Sequence, residues 1–85
     1  MNAIYKALAD ENRRMIIKLL LNKPLNAGEI GENFSFSAPS LTHHLNILVS
    51  SGILSQQRAG QNKIFSIEKA TLQKLVLNMY DKFEL

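Results

Sequence analysis

The chain has 85 residues, of which 46% are hydrophobic and 20% are charged, with a net charge of +3 and no cysteine. A chain of this length forms one small domain that buries only about three-fifths of its unfolded surface, so its own core gives limited stability. The lack of cysteine excludes disulfides, thiolate metal sites and a thiol nucleophile, and the apolar fraction excludes intrinsic disorder. A partner subunit is therefore the remaining source of added stability.

The basic excess permits nucleic-acid binding without requiring it, because the densest run of cations is the adjacent pair Arg13 and Arg14. The chain has no apolar run of signal-peptide length, and the apolar stretch from Met15 to Leu21 is interrupted by Lys18. We therefore expect a cytoplasmic protein that does not insert into membranes.

The N-terminal third of the chain predicts two helices. Residues 2–9 place apolar side chains at helical spacing, and Asp10 is a suitable N-cap for a second helix. That second helix is apolar around most of its circumference, which predicts a central position in the domain. It ends at Lys23, because a residue that precedes proline is disfavoured in the helical conformation.

Two further helices and a hairpin follow. Asn26 and Glu29 form the sequence pattern of a capping box for a third helix over residues 27–33. Ser37 is a strong N-cap for a fourth helix that runs to about Ser51, where Gly52 ends it.

After Gly52, the spacing of apolar residues changes from the period of a helix to that of a strand. Residues 53–58 and 63–67 predict two strands joined by a turn at residues 59–62, and residues 69–83 return to helical spacing. The predicted order is α-α-α-α-β-β-α in a single domain over residues 1–85. This mainly α fold with a β-hairpin is a winged helix-turn-helix in outline.

The fourth helix separates an apolar seam from a polar face. At 100° per residue, Leu41, Leu45 and Leu48 share one side, whereas the opposite side carries small or hydrogen-bonding groups without charge. Such a face suits close approach to base edges in the DNA major groove. The candidate contacts are Ser37, Ser40, Thr42, His43 and Asn46. An ordinary capped surface helix explains the same pattern, and this alternative stays open on the helix alone.

The hairpin favours the DNA-binding interpretation. Arg58 and Lys63 flank a turn that contains Gly60, Gln61 and Asn62, so two cations and two amides lie on one projecting loop. These groups are suited to contact phosphate or the minor groove. The alternative is that the charges protect an exposed sheet edge.

The sequence predicts neither a metal site nor catalysis. His43 is predicted to face outward and His44 to pack in the seam, and adjacent helical side chains diverge by about 100°, so the two do not chelate one ion. The chain has no phosphate-binding glycine loop and no recognisable serine–histidine–aspartate setting. We therefore expect no cofactor and no enzymatic activity.

Several motifs together resemble those of the ArsR-type winged-helix repressors, and most of all the short, cysteine-free autorepressors of that family. The matching segments are Ala7 to Leu20, Ala27 to Ile30, Ser37 to Leu48, Ser51 to Leu54 and Arg58 to Gly60. The resemblance implies a bacterial homodimer, nucleoid-associated when bound, that binds an inverted-repeat DNA operator and often represses its own operon. It places Ser37, Pro39, Ser40, Thr42 and His43 in the recognition helix and Arg58 to Lys63 in the wing.

The resemblance also implies a dimer formed by the first and last helices, and the apolar pattern agrees. The predicted interface residues are Ile4, Leu8, Leu72, Leu75, Val76, Met79 and Phe83. Two departures argue against the metal sites of the family: the third helix has no thiol, and Asp81 in the last helix stands without a histidine.

Two other functions stay open from the sequence. The uncharged helix face also suits a module that docks a protein, such as an antirepressor, and a metal-responsive repressor is a third candidate. The sequence does not identify the operator, the regulated genes or the inducing signal.

Overall fold

The computed structural model describes residues 1–83, apart from the side chain of Phe83. Its elements in chain order are α1 (Asn2–Leu8), α2 (Glu11–Leu20), β1 (Leu25–Asn26), α3 (Ala27–Gly31), α4 (Ala38–Ser50), β2 (Leu54–Ala59), β3 (Asn62–Ile67) and α5 (Lys69–Phe83). This is the mainly helical fold with a β-hairpin that the sequence predicts. Among residues 1–83, the structure contains no helix that could span a lipid bilayer.

Side-chain caps mark the starts of α2, α3 and α4. The Asp10 carboxylate accepts hydrogen bonds from the backbone N–H groups of Asn12 and Arg13, at 2.8 and 3.2 Å. The predicted capping box of α3 is present, because Asn26 accepts from the Glu29 N–H and the Glu29 carboxylate accepts from the Asn26 N–H. Each cap satisfies N–H groups that have no partner within the helix. The sequence therefore predicts these helix starts well.

The sheet has one more strand than the sequence predicts. Its order is β1-β3-β2, and both pairs are antiparallel. The added strand β1 places Leu25 opposite Phe65, and it leads directly into α3. In the hairpin, Ala59 pairs with Asn62, so the turn itself consists of Gly60 and Gln61. Gly60 has a φ of 63°, which the first position of a two-residue hairpin turn requires.

Two helices differ from their predicted form. Helix α3 ends at Gly31 instead of residue 33. Helix α2 contributes Ile16 and Leu20 to the core, but Met15 and the C-cap residue Leu21 are 47% and 62% exposed. The predicted central helix is thus buried on the side of Ile16 and Leu20 and exposed on the side of Met15.

The core lies where α2, α3 and α4 meet the sheet. Its fully buried side chains include Ile16, Ile30, Leu48 and Ile53, and Phe65 packs with them from β3. Because core packing holds α4 against α2, α3 and the sheet in one orientation, it also determines which α4 residues are exposed.

Candidate nucleic-acid interface

Helix α4 buries one side and exposes the other. Leu41, Leu45 and Leu48 are buried in the core, and His44 is 8% exposed beside them. The candidate contacts in and before this helix are all exposed: Ser37, Pro39, Ser40, Thr42, His43 and Asn46. The structure thus places all six on the surface of the molecule, on a face without a charged side chain.

The first turn of α4 is ordered by its own hydroxyl groups. Ser37 Oγ accepts a hydrogen bond from the Ser40 backbone N–H at 3.3 Å and donates to Ser40 Oγ at 3.1 Å. Pro39 lies within this turn, where its missing N–H costs no helical hydrogen bond. The helix start combines a positive dipole end with hydroxyl groups, which favours an anionic ligand such as phosphate.

His44 has a structural position, as the sequence predicts. Its ring meets the ring of Phe36 edge-on, with centroids 5.5 Å apart, and Phe36 stacks on Phe34. Its Nδ1 atom lies 3.4 Å from Nη1 of Arg13 in α2. His44 therefore anchors α4 to the domain, while its neighbour His43 remains exposed.

The wing presents its polar groups beside α4. Arg58 and Lys63 are paired across the hairpin, and both are exposed, as are Gln61 and Asn62 in and beside the turn. A groove of about 310 Å³ runs between α4, the start of α3 and the hairpin.

Five of the ten candidate DNA contacts line this groove: Thr42, Asn46, Gln61, Asn62 and Lys63. The other five are exposed outside it: Ser37, Pro39, Ser40, His43 and Arg58. The structure thus places residues of both predicted elements, helix and wing, along one groove.

Across residues 1–83, no three histidine, cysteine, aspartate or glutamate side chains come together as a set of metal ligands.

Known proteins with similar sequences and structures share this architecture. The family described as "Bacterial regulatory protein, arsR family" matches residues 10–56, which span the segment from the α2 cap into β2. The transcriptional repressor SdpR of Bacillus subtilis is 40% identical over 85 aligned positions, which cover 96% of this chain and 94% of SdpR. The chain belongs to the ArsR family.

Solved structures of similar proteins agree with the fold. The crystal structure of an ArsR family transcriptional regulator is 28% identical and superposes with a TM-score of 0.89, over 98% of this chain and 86% of the other. The homodimeric winged helix-turn-helix DNA-binding domain of a Mycobacterium bovis protein is 25% identical, with a TM-score of 0.77 over 95% and 78% of the two chains. The protein is accordingly a DNA-binding transcriptional regulator of the ArsR family with a winged helix-turn-helix fold, and it is not an enzyme.

A second concave surface, which the sequence did not predict, lies next to α4. A depression of about 430 Å³ lies between α1 and α4, and its lining combines His43 and Asn46 with two cations, Lys6 and Arg13. The spacing of α1 contained a signal for it, because Lys6 falls about 160° away from both Ile4 and Leu8 and so faces another direction than the apolar side of this helix.

Proposed function

We propose that this ArsR-family protein represses transcription as a homodimer that binds an inverted-repeat operator, probing the major groove with α4. The observation that carries this proposal is the outward face of α4, where all six candidate contacts are exposed and none is charged. The opposite side of α4 is buried in the core through Leu41, Leu45 and Leu48. The name of the B. subtilis relative, a transcriptional repressor, supports repression as the outcome.

The chemistry of the α4 face suits base recognition. The Asn46 amide offers a donor and an acceptor, the His43 imidazole offers one or two ring nitrogens, and the Thr42 hydroxyl and methyl suit polar edges and the thymine methyl. Small side chains at the start of the helix let its backbone approach the DNA closely. A face of lysine and glutamate would have favoured water instead.

The wing supplies the contacts that depend on charge. Arg58 and Lys63 lie opposite each other on β2 and β3, and Gln61 and Asn62 extend the polar surface to the tip of the hairpin. We assign phosphate or minor-groove contacts to this element because such contacts fix the register of a protein on DNA.

The terminal helices are assigned to the dimer interface, and residues 1–85 to one domain that both dimerises and binds DNA. Leu72 and Leu75 of α5 are half-buried, while Val76 and Met79 are 52% and 43% exposed. These four residues lie outside the core cluster, so their apolar surface is available to a second subunit. The homodimeric state of the M. bovis neighbour supports the same assignment for this chain.

The interface extends to α1, which packs on α5. Tyr5 donates a hydrogen bond from its hydroxyl to Oδ1 of Asn78 at 2.7 Å, and Lys82 lies over the Tyr5 ring. Ile4 and Leu8 are half-buried against the core and complete the apolar side of α1. The side chain of Phe83, the seventh predicted interface residue, lies outside the described residues. To enter successive major grooves, the two α4 helices of such a dimer have to lie about 34 Å apart, one turn of DNA.

Gel-shift titration of the DNA upstream of the protein's own gene tests both operator binding and autoregulation. We expect a shifted complex that survives excess random-sequence competitor, with a dimer footprint of two half-sites. Affinity should fall steeply with salt, because several phosphates are neutralised. Binding without sequence preference would contradict the proposal. If no DNA complex forms at moderate salt, docking of a protein partner such as an antirepressor at the same face becomes the favoured function.

A further inference from the structure

We infer that Lys6 is a phosphate-binding residue that extends the DNA interface from α4 onto α1, toward the centre of the operator. This inference rests on the proposed function, since it concerns the same DNA complex. It assigns a DNA contact to a helix whose other residues are assigned to the dimer interface.

The first observation is the chemistry of the depression between α1 and α4. None of the eight described residues that line it is acidic, and Lys6 and Arg13 supply two cations. The same lining contains His43 and Asn46, which carry the proposed base contacts. A DNA phosphate next to His43 and Asn46 on the α1 side would therefore lie close to Lys6.

The second observation separates the roles of the two cations. Arg13 uses its guanidinium within the domain: Nε donates to the Ala7 carbonyl at 2.7 Å, and Nη2 donates to the Lys6 carbonyl at 3.1 Å. Arg13 is thus a positioning residue that holds the end of α1 beside α4. The side chain of Lys6 is exposed at the rim of the depression and can reach outward.

The third observation is the direction of Lys6 on α1. Lys6 lies about 160° from both Ile4 and Leu8, which form the proposed dimer side of this helix. A lysine that pointed into the dimer interface would be desolvated there. In this geometry Lys6 stays outside the interface and beside the recognition helix.

The two-fold symmetry of the proposed dimer predicts which part of the operator Lys6 contacts. Because α1 belongs to the proposed interface, it lies between the dyad and α4 of its own subunit. Each Lys6, on the side of α1 that faces α4, therefore lies nearer the operator centre than α4 does. When two α4 helices occupy successive major grooves on one side of the duplex, the minor groove at the operator centre faces the protein. The phosphates that border this minor groove are the ligands that we assign to Lys6, one for each subunit.

Salt titrations of purified variants test the assignment. The probes are a duplex that the wild-type protein enriches from a random-sequence library and a scrambled duplex of the same length. For Lys6→Gln we expect the slope of log affinity against log salt to fall in magnitude by about 1.8 for the dimer, with an equal loss of affinity on both probes. Lys6→Arg keeps the charge and should keep the slope. Lys18→Gln, at an exposed lysine of α2, is the matched control and should behave as the wild type.

Chemically modified DNA tests whether Lys6 binds the phosphates at the centre of the operator. Replacing the central phosphates of the enriched duplex by neutral methylphosphonates should weaken the wild-type protein and Lys6→Arg, but not weaken Lys6→Gln further. If Lys6→Gln and Lys18→Gln give the same slope, or if the central substitution weakens Lys6→Gln as much as the wild type, the assignment is overturned while the proposed function stands. If the wild-type protein enriches no duplex, the proposed function fails, and this inference fails with it.

Discussion

Arg13 in the first turn of α2 donates a hydrogen bond from Nε to the carbonyl oxygen of Ala7, in the last turn of α1, at 2.7 Å. Its neighbour Arg14 donates to the next carbonyl, that of Leu8, at 2.6 Å. The last carbonyls of a helix have no partner within the helix, and cations at that end also meet the negative end of its dipole. The two arginines therefore cap the seven-residue helix α1 and connect it to the helix-turn-helix.

Replacing Arg13 by methionine should destabilise the protein more than replacing Arg14 by methionine. Arg13 is half-buried, donates to two carbonyls of α1 and approaches His44, whereas Arg14 is exposed and is bonded to one carbonyl. Losing hydrogen bonds from a charged group in a half-buried place costs about 2 kcal/mol, and we expect a smaller effect at exposed Arg14. Urea unfolding at one fixed protein concentration measures both. Equal losses would show that Arg13 has no special structural role.

The cap at Asp10 should make part of the stability depend on pH. Partial burial raises the pKa of Asp10, but the N–H groups of Arg13 and Asn12 and the charges of Arg13 and His44 outweigh it, so the pKa lies below the ordinary value of 3.8. A carboxylate with a lowered pKa in the folded state stabilises the fold above its unfolded pKa, and this contribution disappears as pH falls through the folded pKa. Asp10→Asn keeps an N-cap but does not ionise in this range.

We therefore expect the wild type to be more stable than Asp10→Asn near pH 6, and the difference to shrink below about pH 4. Thermal unfolding from about pH 2.5 to pH 6 measures this difference. A difference that stays constant over that range would show that the charge of Asp10 does not contribute.

Local sequence patterns predicted the helices and the hairpin. Strand β1, the contact between Arg13 and α1, and the groove between α4 and the wing depend on tertiary contacts. The caps at Asp10, Asn26 and Ser37 act within three residues, so the sequence shows them directly. Strand β1 has only two residues, and its partner Phe65 is 40 positions away from Leu25, so no local pattern indicates it. The contact between Arg13 and α1 depends in the same way on how two helices meet. The alternation on α4 predicted which candidate contacts are exposed, whereas the groove they share with the wing required the fold.

Two methionines of similar exposure allow a matched test of the dimer interface. Met79 in α5 is 43% exposed and belongs to the proposed interface, while Met15 in α2 is 47% exposed and lies elsewhere. Met79→Glu places a charge in the apolar contact, where it has to be desolvated, so we expect a monomer at concentrations where the wild type is a dimer. Met15→Glu should stay dimeric. Sedimentation equilibrium measures both masses, and an unchanged mass for Met79→Glu would exclude this surface as the interface.

His43 and Lys63 should affect DNA binding in different ways, because the first is assigned to bases and the second to phosphate. Both side chains are exposed, so their replacement by alanine should leave the fold intact. His43→Ala should reduce the preference for the operator over random DNA by about 1–3 kcal/mol for each half-site, roughly 5-fold to 150-fold, since a lost base contact matters only at the correct sequence.

Lys63→Ala should weaken both DNAs by the same factor and lower the salt slope by about 1.8 for the dimer, because phosphates are present in every sequence. Titrations of each variant against operator and random duplexes at several salt concentrations separate the two patterns. If His43→Ala weakened both duplexes equally, His43 would be a backbone contact and the reading of bases would fall to Thr42 and Asn46. If Lys63→Ala changed the ratio between the duplexes, the wing would take part in sequence recognition.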